Sequence, residues 1–136
     1  MVALADTLEN LLLGHLFRGV PYTAPNPLFV GLLVLAPSDS GAGTEAAGGA
    51  YARVAVAAGA ANWSAAVGGN GTTSNVNAVN FPTPTASWGT VTHFAIYDAA
   101  SAGNLLIWQA LTVNKTINIG DTISFPAGSL TVQIDN

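Results

Sequence analysis

The 136-residue sequence contains no cysteine, only three Lys or Arg, and only seven Asp or Glu. Each shortage excludes a class of function. Without cysteine there is no disulfide framework, thiolate nucleophile or cysteine-ligated zinc. Three cations cannot neutralise an extended phosphate backbone, so nucleic acid is excluded as a partner. Disorder requires high charge and low hydrophobicity, whereas half of these residues are hydrophobic and the mean hydropathy is +0.45. The longest apolar run, residues 28–36, falls far short of the roughly 20 residues of a membrane-spanning helix. Residues 1–13 carry Asp6 and Glu9 but no Lys or Arg, the reverse of a secretory leader's basic start. A soluble chain with no membrane partner is expected.

The charge shortage is the most informative of these. An ordinary domain of this length carries about 34 Asp, Glu, Lys and Arg, against ten here, with a formal net charge of -4. Spread over the roughly 6,600 Å² that a folded chain of this mass exposes, that is about one charge per 660 Å². So weakly solvated a surface is expected to be covered by neighbours.

Leu4, Leu8, Leu11, Leu12 and Leu16 recur at helical spacing, with Asp6 and Glu9 early and His15 and Arg18 late, as the helix dipole favours. Gly19, followed by Pro21, supplies a stop. This predicts an N-terminal helix or arm over residues 1–20, which either packs on its own domain or reaches a neighbouring subunit. Residues 21–136 read as one β domain. Segment 28–35 is apolar throughout, as in a strand covered on both faces, and a loop rich in small residues, 36–49, holds Asp39 and Glu45. Further strands are expected at 51–57, 75–81 (with Val76, Ala78 and Phe81 as its apolar contacts), 91–97, 104–113, 116–119, 122–125 and 130–135. About eight short strands at this spacing predict an all-β jelly roll or β-sandwich.

Chemistry is sparse. His15 and His93 have no partner at metal-ligand spacing, and His93, alternating with Phe94, is expected on the face opposite that ring as a structural or interface residue. Asp98 and Asp121 sit where Asx side chains close turns. Asp39 and Glu45 share a loop that in principle offers calcium oxygen ligands, but the alternating EF-hand pattern is absent. There is no GxSxG elbow or P-loop lysine. No catalytic residue, metal ligand or cofactor is assigned. Trp63, Trp88 and Trp108 read as core or subunit-interface bulk, with sugar stacking as the alternative.

The segments YARVAV (51–56), WGTVTHFAIYDA (88–99), GNLLIWQAL (103–111), KTINIGDTISFPAG (115–128) and LTVQID (130–135), preceded by LENLLLGHLFRGVPYTAPNPLFVGLL (8–33), stand in one order along the chain. In that order they resemble small structural proteins of tailed bacteriophages, commonly called phage tail fibre proteins. The resemblance implies a non-enzymatic virion component. Small jelly-roll proteins of similar size serve as capsid cement or decoration proteins. With the charge-poor surface, this gives the expectation of a homotrimer on the phage head that bridges major capsid protein subunits and is assembled in the host cytoplasm. The alternative is a tail fibre, tail-tip or adaptor protein that binds a glycan receptor. Leu4, Leu8, Leu12, Leu16, Asp39, Glu45 and Trp63 are the expected interface residues.

Overall fold

In the strand Leu28–Leu35 four consecutive residues, Val30 to Leu33, are buried. A strand shows that pattern only when both faces of its sheet are covered. The computed structural model describes residues 3–38, 42–69 and 71–134. In chain order the elements are β1 (Ala3–Leu4), α1 (Asp6–Arg18), β2 (Leu28–Leu35), β3 (Thr44–Glu45), β4 (Val54–Val56), β5 (Thr72–Ser74), β6 (Val79–Asn80), β7 (Gly89–Tyr97), β8 (Leu105–Ile117), β9 (Ser124–Phe125) and β10 (Thr131–Gln133). The expected all-β sandwich with one short helix is what the chain forms.

The main sheet runs β1-β8-β7-β2-β3, with β4 also paired to β2, and two ribbons, β10-β5 and β6-β9, stand beside it. Every pairing is antiparallel. Alternation sorts the side chains. Val30, Leu32, Phe94 and Ile96 enter the larger core with Val79, Phe81, Leu130 and Val132 from the ribbon side. Leu33, Ala95, Tyr97 and Leu105 form a second cluster with Ala5. His93 shares the alternation phase of Ala95 and Tyr97, opposite Phe94, as its position in sequence predicts.

Three local readings change. Leu4 belongs to β1, paired with Ile107, because Ala5 is extended (φ -78°, ψ 149°) and the helix begins only after it. The expected strands 104–113 and 116–119 are one strand. The β7–β8 register jumps from Val91↔Lys115 to His93↔Ala110, so residues 111–114 bulge opposite Thr92 without ending the ladder. In 75–81 the buried residues are Val79, Phe81 and the polar Asn75, while Val76 is 44% exposed and Ala78 is exposed as well. Asn75 occupies a core position because it replaces water completely. Its amide donates to the carbonyls of Asn77 and Pro126, both at 2.9 Å, and its Oδ1 accepts from the Leu130 amide at 2.9 Å.

Asp98 and Asp121 both close turns, as expected. Asp98 accepts from the Asn104 amide at 2.7 Å, and Asp121 from the Asn118 amide at 2.8 Å. No helix among the described residues is long and apolar enough to cross a membrane. The accessible surface, 7293 Å², is about a tenth above that of a typical folded chain of this mass. Part of that excess is the far half of α1.

Candidate interaction surface

Helix α1 is tied down at its start only. The Ala5 amide donates to the Leu106 carbonyl at 2.9 Å, and the Ala5 carbonyl accepts from Leu8 at 2.8 Å and Glu9 at 3.1 Å. Leu8 is the buried residue of the helix. Asp6 and Glu9 in the first turn and His15 and Arg18 in the last complement the dipole, and Gly19 closes the helix in the left-handed region (φ 65°). Beyond Leu12 the helix leaves the sandwich. Leu13, Leu16, Phe17 and Val20 are 55%, 73%, 80% and 48% exposed. Leu13, Leu16 and Phe17, at i, i+3 and i+4, make one stripe of the kind that anchors a helix in a groove, and Val20 follows the Gly19 cap, its amide bonded back to the Gly14 carbonyl at 3.1 Å. Burying a Leu or Phe side chain is worth roughly 1.5–3 kcal/mol, so a stripe of three left in water is a surface awaiting a cover.

At the base of the same helix lies an apolar groove of about 250 Å³, lined by Leu8, Tyr22, Pro25, Leu28, Trp63 and Ile107 among others. The groove brings together α1, the connector that follows it, β2, β8 and the segment after β4. The indole N–H of Trp63 is buried and finds no acceptor among the described residues. Burial raises the Tyr22 hydroxyl above the usual phenol range, and the nearby Asp98 carboxylate adds to the rise.

A surface built for contact fits what the sequence belongs to. The model of a family described as podophage GP4 fiber I protein gp80 matches residues 3–133. The chain belongs to this family. It is a phage structural protein and hence a virion component. No curated protein matches the sequence.

The residues expected at the interface occupy different settings. Leu8 is 8% exposed and packed within its own chain, whereas Leu16 is 73% exposed. Leu4 and Leu12 are half-buried. Asp39 lies outside the described residues. Trp63 packs against the main core and lines the groove. Phe17, the most exposed of the stripe, was not among the expected residues. Its signal was present as the 13, 16, 17 spacing, overshadowed by the leucines at 4, 8 and 12.

Glu45 serves the fold. Its carboxylate accepts from Arg53 Nε and Nη2, both at 2.8 Å, and from the Tyr51 hydroxyl at 2.7 Å. Arg53 Nη1 reaches the carbonyls of Ala99 and Ala102 at 2.7 and 2.9 Å, and the guanidinium lies 3.4 Å from the centre of the Tyr97 ring. This side chain, only 6% exposed, clamps the β3 edge to the turn between β7 and β8. Burial works against the Arg53 charge, but hydrogen bonding and the Glu45 charge outweigh it, so its pKa is raised. Burial, then Glu45, pushes the Tyr97 hydroxyl up to about 12 against the lowering effect of Arg53. Tyr51 moves the same way, chiefly through burial. His93, edge-on to Trp108 at 5.6 Å, is lowered by burial.

Three of the large aromatics are core. Trp88 is 2% exposed, Phe94 4% and Tyr97 4%, and Trp88 donates its indole N–H to the Gly49 carbonyl at 2.9 Å.

Proposed function

We propose that this chain is a non-enzymatic structural subunit of the podophage fibre apparatus, present in several copies and joined to its neighbours through the apolar stripe of α1. The observation that carries the reading is the stripe itself: Leu13, Leu16 and Phe17 stand exposed on a member of a fibre family. The mechanism is mechanical. The sandwich supplies a rigid body, clamped by the Arg53–Glu45 pair, and the helix supplies the adhesive face. Many modest contacts then add through multivalency. Imaging of intact virions by cryo-electron microscopy tests the assignment. Copies of this fold resolved in the tail fibres support it, and copies tiled over the head overturn it.

A second reading is a capsid cement protein that bridges major capsid protein subunits as the expected homotrimer. The scarcity of charge favours it. Of the ten ionised side chains, Arg53 and Glu45 neutralise each other internally, which leaves a surface suited to tiling against coat protein. The receptor-binding version of the fibre reading has less behind it, because Trp88, Phe94 and Tyr97 point into the protein instead of forming a sugar-stacking platform.

A further inference from the structure

This chain carries both halves of a joint. One is an exposed stripe at the far end of α1, and the other is an unfilled apolar groove at the base of the same helix. We infer that copies of this chain associate head to tail, with Phe17 and its flanking leucines of one copy seated in the groove of the next. This deepens the multi-copy reading above by naming the contact, and it holds whether the assembly sits on tail or head.

Two observations agree on a second copy as the occupant. The first is size. A dry cavity of about 150 Å³ accommodates a benzene ring, so a groove of about 250 Å³ has room for the Phe17 ring with part of a neighbouring leucine. The second is charge. Arg18, next to Phe17, makes no ion pair among the described residues, and the Asp98 carboxylate acts on the hydroxyl of Tyr22, which lines the groove. Docking Phe17 brings the cation toward the acid.

The two halves are different surfaces, so the contact is heterologous and propagates in one direction. Repetition closes a ring if the rotation allows, or extends a filament if it does not.

The test uses the full chain and two kinds of variant, read by sedimentation velocity. Phe17→Ser removes the knob, and Ala58→Trp fills the groove from its exposed rim, with Ala24→Trp as an independent filler should Ala58→Trp fail to fold. Wild type is expected to be oligomeric. Each variant, folded by circular dichroism, is expected to associate at least about thirty-fold more weakly, the loss typical of a central anchor. Mixing the two variants is expected to give a heterodimer and nothing larger, because one intact knob then meets one intact groove. A monomeric wild type, oligomers that persist in Phe17→Ser, or a mixture that stays monomeric would each overturn the inference. None of these outcomes depends on where the protein sits in the virion, so failure here is separable from failure of the fibre assignment.

Discussion

Leu8 and Phe17 stand on one helix at opposite extremes of burial, 8% and 80% exposed. The same segment thus closes its own domain with one end and offers a surface with the other. Their substitutions are expected to separate. Leu8→Ala removes a side chain packed within the chain and should cost about 2 kcal/mol in urea denaturation, the low end for buried leucines. Phe17→Ser and Leu16→Ser should change stability by no more than about 0.5 kcal/mol. In purified virions, quantitative mass spectrometry should find the Leu16 and Phe17 variants depleted.

The clamp at the sheet edge carries a second prediction. Arg53→Ala leaves Glu45 without its fork and two carbonyls without donors. Glu45 is 27% exposed, so water relieves part of the loss, and the expected cost is about 2–3 kcal/mol, below that of breaking a fully buried pair. Arg53→Lys should recover little, because an ammonium cannot hold both carboxylate oxygens and lie flat on Tyr97. Equilibrium unfolding of the three proteins checks the ranking.

Asn75 gives a third. Asn75→Ala strips donors and an acceptor from a site 1% exposed, leaving the Asn77 carbonyl and the Leu130 amide unpaired, while the Pro126 carbonyl keeps its bonds from Ser129. The expected loss is about 3 kcal/mol, with the β5–β10 ribbon showing the largest rise in amide hydrogen exchange.

The contrast between these sites shows what a sequence discloses. Strand β2, the Gly19 stop, the Asp98 and Asp121 turns and the side of His93 were legible because each depends on neighbours within a few residues. The Glu45–Arg53 clamp was not. It forms between a two-residue strand and a segment eight residues later, and its other anchors, Ala99 and Ala102, are far along the chain. Asn75 was hidden because a polar residue in a strand reads as solvent-facing unless its partners are known. The working face of α1 was ambiguous for a different reason. A leucine-rich helix carries two apolar stripes, and only tertiary packing decides which one docks at home.

Stability should depend on pH at both ends. Tyr97 has its folded pKa raised from the usual 10 to about 12, and Tyr51 shifts in the same direction. The unfolded chain therefore loses these protons first. Their contribution is complete below about pH 10 and fades as pH rises toward 12. His93 is lowered, so its contribution is complete above about pH 6.5 and fades as pH falls below that value. Melting temperature against pH should show both declines. Tyr97→Phe should flatten the alkaline one, and an unchanged slope in that variant would contradict the assignment.

The most direct measurement is the surroundings of α1 in the assembled particle, seen by cryo-electron microscopy at side-chain resolution. The account predicts density from a neighbouring chain packed on Leu13, Leu16, Phe17 and Val20. A helix whose stripe faces open solvent in every copy would contradict it.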